Sequence, residues 1–273
     1  MNNPVYYELL EAFTQPGCPL CRQIQSAVER SLSHLFYESV TDPDVRRRLR
    51  RSMGFCKRHA WLLVDARIGD ALGMAIIYHD LVGSLLKHLP QDSLVSNQKN
   101  PVRIWRKLAS SQKTLLGQVL EILSPRHLCP ACEQEESTQR AAVSVLASAL
   151  NDPAFTEAFK ASFGLCLPHL RQVLEEIRDP FALEALLTTS HDKLSALHLE
   201  LAEIIRKNDY RYRDEAFGPE GDAWKRAVAV VVGLNHLLIP DASNQSVVGI
   251  IKTRRLSTEA PLEERKRDHE KEK

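Results

Sequence analysis

Six cysteines and two histidines carry the chemistry this sequence offers. Cys18 and Cys21 form a CPLC motif, followed by Cys56 and His59 in GFCKRH. Cys129 and Cys132 form CPAC, followed by Cys166 and His169 in GLCLPH. No cysteine is left over. Three thiolates and one imidazole match the tetrahedral preference of zinc, so two zinc ions are expected. Side chains three apart on a helix share a face, so Cys56 and His59 can reach one ion, as can Cys166 and His169. Each CPxC pair falls at a helix start, where free N–H groups and the helix dipole favour thiolates.

The matched order favours sites closed within a copy: Cys18, Cys21, Cys56 and His59 in one, Cys129, Cys132, Cys166 and His169 in the other. Sites mixing ligands from both copies are the less favoured arrangement. Iron–sulfur is less favoured than zinc because all-cysteine ligation is the norm there. Neither CPLCR nor CPACE supplies the CxxCH of c-type haem attachment. Four protein ligands leave no open position, which points to a structural ion rather than a hydrolytic one.

These motifs recur at a fixed distance. The offset is 111 residues at CPxC and 110 from Asp42-Pro43 and Asp152-Pro153 onward, so the spacing differs by one residue between the landmarks. A repeat of this kind predicts a duplicated supersecondary unit. Helices are expected over 5–13 and 102–123 ahead of the CPxC pairs, then over 20–39 and 131–150. Each Asp-Pro is an N-cap followed by a first-turn proline, opening a short helix that ends at Gly54 or Gly164. Further helices follow near Cys56 and Cys166, then over 70–89 and 181–207. Asp222 caps a last helix over 223–238.

The fold class is therefore all-α: two pseudo-repeated helical units, each clipped by a Cys3His site, plus a C-terminal helix. Units are expected over 1–89 and 102–207, joined by a linker at 90–101. A polar loop and the last helix span 208–239, and a charged tail expected to be disordered spans 240–273.

Composition sets bounds. Charged residues make up 26% and the net charge is +1, so no global field draws the chain to nucleic acid or membrane. The longest apolar run, 227–239, is broken by Asn235 and His236 and is too short for a bilayer. No secretory pattern opens the sequence, so a cytoplasmic location is expected, where cysteines stay reduced and clusters bind metal.

CPLC…GFCKRHAW, repeated as CPAC…GLCLPH and followed by NDYRYRDE and GDAWKRA, resembles an uncharacterised bacterial Cys/His-repeat helical family, a domain of unknown function. The resemblance spans residues 5–235. It implies a duplicated Cys/His helical protein and no substrate. Arg171 stands where the first copy has Trp61.

Other features are weaker. Arg46, Arg47, Arg48, Arg50 and Arg51 form a basic run that could contact an anion or an acidic partner, or simply be a solvated helix face. Aligning the copies matches Val45, Leu49 and Met53 with Phe155, Phe159 and Phe163, an apolar stripe at helical spacing. The arginines are special to the first copy. The Asp209–Glu215 segment could be a recognition loop, though local ion pairing is the favoured reading. Trp224 reads as a core residue. His79-Asp80 and His191-Asp192 recur at an offset of 112, but neighbours on a helix diverge and make no ready dyad. His127 has Pro16 as its counterpart and reads as incidental. No phosphate loop or catalytic signature is present, so the enzyme reading is disfavoured. A zinc-stabilised helical scaffold or protein-interaction module is expected. A redox or sensor protein built on the cysteine clusters is the alternative, and a nucleic-acid-associated regulator a second one.

Overall fold

The computed structural model describes residues 3–88, 117, 119–212 and 214–234. Among these residues the chain is helical, with no strand. In the first copy α1 spans Pro4–Phe13, α2 Pro19–His34, α3 Pro43–Arg51, α4 Lys57–Asp65 and α5 Ala71–His88. In the second, α6 spans Pro130–Ala149, α7 Pro153–Ala161, α8 Leu167–Glu176 and α9 Pro180–Lys207, and α10 (Ala223–Val232) comes last. The expected linker at 90–101, most of the helix expected over 102–123 and the tail at 240–273 lie outside the described residues.

The start signals act as their chemistry requires. The Asp42 carboxylate accepts from the N–H groups of Asp44 and Val45 at 2.8 and 2.9 Å, and Asp152 accepts from Ala154 at 2.9 Å. Asp179 does the same for Phe181 and Ala182, opening α9. Each carboxylate satisfies donors that a helix start leaves free.

The one-residue difference between the copies has a physical home. After α2 the first copy continues through a π-helical turn, Leu35–Ser39, whereas α6 runs from Pro130 to Ala149 without one. A π turn closes i to i+5 and holds one residue more than an α turn. The extra residue is thus absorbed without disturbing α3 and the helices after it. Phe36 in the turn is buried and stacks on Phe55 at 6.3 Å.

Helices α2 and α6 pack on each other and run in opposite directions. Leu20, near the start of α2, shares an apolar cluster with Leu146 and Leu150 at the end of α6. Val28 and Leu32, further along α2, share a second cluster with Cys129 and Ala131 at the start of α6. The first cluster is completed by Leu9 and Phe13 of α1 and by Phe155 and Phe159 of α7, with Phe13 5.0 and 5.7 Å from the two rings. The second is completed by Leu49, Phe55, Leu62, Leu63, Ile77 and Leu81. The expected stripe holds at Leu49, Phe155 and Phe159, all fully buried. Both clusters draw on both copies, so the two units of the sequence interleave.

Two expectations at the C-terminal end are corrected. Asp222 makes no side-chain cap to α10; its carboxylate instead accepts from Arg226 Nε at 2.7 Å, and a 3-10 turn over Pro219–Asp222 leads into the helix. The helix stops at Val232 rather than 238, because Gly233 adopts φ 87°, a left-handed conformation that suits glycine and ends helices. Positions 235–238 lie outside the described residues.

Candidate metal centres

The eight ligand residues gather into two groups of four, but across the copies. Cys18 and Cys21 meet Cys166 and His169; Cys56 and His59 meet Cys129 and Cys132. Within each group the ligand atoms all lie within 4.8 Å of one another. Two Cys3His groups are present, as expected, but the expected closure within a copy is overturned.

Helix lengths explain why. From Cys18 the chain climbs α2 and the π turn, roughly 30 Å at 1.5 Å per residue, and α3 can return only about 13 Å of it. Cys56 is therefore left at the far end of α2. The antiparallel pairing places the start of α6 at that end. Each CPxC pair meets the GxCxxH segment of the other copy because that segment is what the other copy delivers there.

A shared local geometry prepares all the ligands. Cys18, Cys56, Cys129 and Cys166 are each the N-cap of a helix, of α2, α4, α6 and α8 respectively. Cys21, His59, Cys132 and His169 sit three residues on, in the first turn of the same helices. N-cap and third-position side chains lie side by side, the geometry a capping box uses. Each group is thus two such pairs facing one another, with two helix N-termini aimed at three sulfurs. The positive ends of those helices offset the negative charge that three thiolates bring. The Cys129 sulfur additionally accepts from the Cys132 N–H at 3.4 Å. The prolines at 19 and 130 carried this signal in the sequence, since a first-turn proline makes the residue before it the cap.

In the first group, His169 Nδ1 lies 3.5, 3.4 and 3.2 Å from the sulfurs of Cys18, Cys21 and Cys166, and Cys21 lies 3.8 Å from Cys166. In the second, His59 Nδ1 lies 3.3, 3.4 and 3.4 Å from Cys56, Cys129 and Cys132. Cys132 lies 3.4 and 3.6 Å from Cys129 and Cys56. Both groups can hold a metal ion with four protein ligands.

The ligand groups act strongly on one another. Burial pushes the Cys18 thiol well up, while hydrogen bonds from Cys18, Cys21 and His169 pull Cys166 well down. Burial disfavours a charged His169, yet hydrogen bonds to Cys166 and Cys21 outweigh it and carry the imidazole up to about 9. Three sulfurs around one ring attract positive charge.

The surroundings differ. In the second group Glu135 lies 3.7 Å from His59 Nε2 and is paired with Arg58, so a carboxylate stands behind the ligating ring. At the first group the backbone of Gly233 is the neighbour: a Cβ there would stand 3.4 Å from Cys21 Sγ and 3.7 Å from Cys166 Sγ. His127 is exposed and belongs to neither group.

The basic run is largely engaged within the chain. Arg46 and Arg50 pair with Asp80 at 3.0 and 2.6 Å, Arg47 pairs with Asp44 at 2.7 Å, and Arg48 reaches Glu133 of α6. Arg51 accepts at its carbonyl from the Arg126 N–H at 2.9 Å. Burial works against an ionised Asp80, but Arg50 and Arg46 hold its carboxyl below the usual range. Asp80 is thus a partner of arginines, not of His79. His191 Nδ1 and Asp192 lie 3.6 Å apart on open surface.

In the 209–215 segment Arg211 pairs with Asp209 at 2.7 Å, and Arg206 lies 4.6 Å over the Tyr212 ring while pairing with Glu203 and Glu215. Lys207 Nζ donates to Glu220 at 2.7 Å, and the Gly218 N–H donates to the same carboxylate at 2.9 Å. The charges of Asp209, Arg211 and Glu215 are paired locally. Trp224, expected in the core, is 55% exposed, with Lys225 Nζ 5.3 Å from its ring centre.

The chain belongs to a family of unknown function, DUF6062, whose model matches residues 5–236. It is 30% identical over 227 residues to a protein of Caldicellulosiruptor sp. (strain Rt8B.4) named "Uncharacterized 23.9 kDa protein in xynA 3'region", covering 82% of this chain and 99% of that protein. No solved structure matches it. No helix among the described residues is long and apolar enough to cross a membrane.

Proposed function

We propose that the protein is a zinc-stabilised helical scaffold that presents its outer helix faces to protein partners. The observation that carries this reading is the closure of each Cys3His group by four protein ligands. A tetrahedral zinc with ordinary Zn–S and Zn–N bonds has S···S edges of about 3.8 Å and S···N edges of about 3.5 Å. Cys21 and Cys166 stand 3.8 Å apart, Cys132 stands 3.4 and 3.6 Å from Cys129 and Cys56, and the Nδ1 atoms lie 3.2–3.5 Å from the sulfurs. A filled shell leaves no place for an activated water, so each ion would act by holding the copies together. Zinc would join four helix starts that are individually weak. Exposed Trp61 and Trp224 supply rings of the kind that anchor protein contacts.

Elemental analysis of purified protein tests the reading. Two zinc ions per chain, lost together with helicity on chelation, are expected. A brown protein containing iron and absorbing in the visible would overturn it.

A further inference from the structure

The two copies differ at one place where the structure leaves a cavity. In the first copy, Leu81 and Tyr78 of α5 lie over the Gly54 turn that leads to Cys56: a Cβ on Gly54 would stand 2.9 Å from Leu81 Cδ1 and 3.9 Å from Tyr78. Leu81 is buried there. The His-Asp pairs 79–80 and 191–192 fix the correspondence of α5 with α9, so Tyr78 becomes Ser190 and Leu81 becomes Lys193. The structure agrees: it is Lys193 whose stem lies over Gly164, with Cγ 3.4 Å from a Cβ placed there. A ring and a branched aliphatic side chain have thus been replaced by a hydroxymethyl group and a lysine.

A cavity of about 250 Å³ opens where those groups would have been, among α8, α9 and α10. Leu165, Leu167, Leu170, Leu194, Leu197 and Val230 form its apolar walls. Leu167 and Leu194 are each 41% exposed, so the apolar space is open to solvent. Its polar side chains are Ser162, Ser190, Lys193, Glu200 and Arg226, and the Ser162 hydroxyl is taken up by the Phe159 carbonyl and the Gly164 N–H. Arg226 and Glu200 pair with each other, and Arg226 also binds Asp222 at 2.7 Å. Ser190 donates to the Leu186 carbonyl at 2.7 Å, which leaves its oxygen lone pairs free to accept. Lys193, on an apolar stem, makes no ion pair among the described residues.

We infer that this cavity is a binding site for a small amphiphilic carboxylate, its hydrocarbon body against the leucine walls and its head at the Lys193 ammonium. An apolar pocket with few polar groups to fix orientation is the usual form of a small-molecule site. A cavity of about 150 Å³ holds benzene, so about 250 Å³ suits a ligand of roughly ten non-hydrogen atoms. Arg226 is already engaged by Glu200 and Asp222, so Lys193 is the cation of the lining left to meet the head group.

Octanoate is the probe, titrated into the full chain by calorimetry, with octanol and octylamine beside it. Saturable one-to-one binding of octanoate, with a dissociation constant of about 1 mM or tighter, is expected. Lys193→Gln should weaken octanoate about tenfold and leave octanol unchanged. The double change S190Y/K193L restores the first copy's plug. It should abolish binding while keeping the fold, because filling an apolar cavity with apolar groups stabilises. Octylamine binding better than octanoate would overturn the assignment, as would undiminished binding to the folded double variant or no saturable heat from octanoate. A concentration-dependent dimer dissolved by the double variant would give the cavity to a second copy of the chain and equally overturn it.

Discussion

The sulfur of Cys18 lies 3.5 Å from Nδ1 of His169, 151 residues along the chain. A contact that long in sequence, made inside a metal-ligand group, ties the two copies into one cooperative structure. It also yields a test of pairing. Cys21→Ser combined with Cys166→Ser strikes one group only, so that variant should keep about one metal per chain. Cys21→Ser combined with Cys56→Ser strikes both groups and should keep about none. Metal content by elemental analysis reads the difference, and the opposite ranking would show that each copy closes its own site.

Ligand types, the repeat and the helical class are readable in the sequence because each depends on local order. Cys56 and His59 at a three-residue spacing, and Asp42-Pro43 against Asp152-Pro153, signal through side chains close in sequence. The pairing is not readable from motif order, because Cys18, Cys21, Cys56 and His59 satisfy the same donor count as the true set. It is implicit in length: the stretch from Cys18 to Asp42 is too long for the short helix after it to undo. Trp224 misleads because a tryptophan beside a helix start fits a core as well as an outer face. The end of α10 misleads because the apolar run continues past Gly233, and the backbone preference of that glycine prevails over hydropathy.

The π turn makes a second prediction. Tyr37 is 88% exposed and lies in the turn that absorbs the first copy's extra residue. Deleting Tyr37 should convert the turn into α-helix with the spacing already used between Cys129 and Asp152. Circular dichroism and metal analysis should show a folded chain with both ions. Deleting Gln25 within α2 instead rotates every earlier contact by about 100°, as the helical period requires, and should cost the Cys18–Cys21 ion. Equal damage from the two deletions would contradict the role given to the turn.

Acid should loosen the 208–222 segment through Glu220. Its hydrogen bonds from Lys207 and the Gly218 N–H draw the folded carboxyl down to about 2 from an ordinary 4.5. A group depressed on folding stabilises above its unfolded value and loses that contribution as pH falls toward the folded one. Glu220→Gln should therefore lower the melting temperature by a few degrees at pH 7, with the gap closing between about pH 4.5 and 2. The comparison with the unmodified chain cancels acid effects on the sulfur ligands, which both proteins share. A gap that persists at pH 2 would place the cause elsewhere.

The glycines before Cys56 and Cys166 yield a graded prediction. Gly54 and Gly164 both adopt φ 85°, which turns the chain from the short helix into the ligand-bearing one. An alanine at either position meets the left-handed penalty of about 1–2 kcal/mol. At Gly54 the added methyl would also stand 2.9 Å from Leu81 Cδ1, inside a filled core, whereas at Gly164 it would meet only the Lys193 stem at 3.4 Å, a side chain free to move. Gly54→Ala should then destabilise by roughly 1–3 kcal/mol more than Gly164→Ala, the usual range for overpacking. Denaturant melts of the two variants measure the gap. If Leu81→Ala, which clears the space at Gly54, narrows the difference in the double variant, crowding at this turn is its source. If the gap is unchanged by Leu81→Ala, the two turns differ for a reason other than the plug.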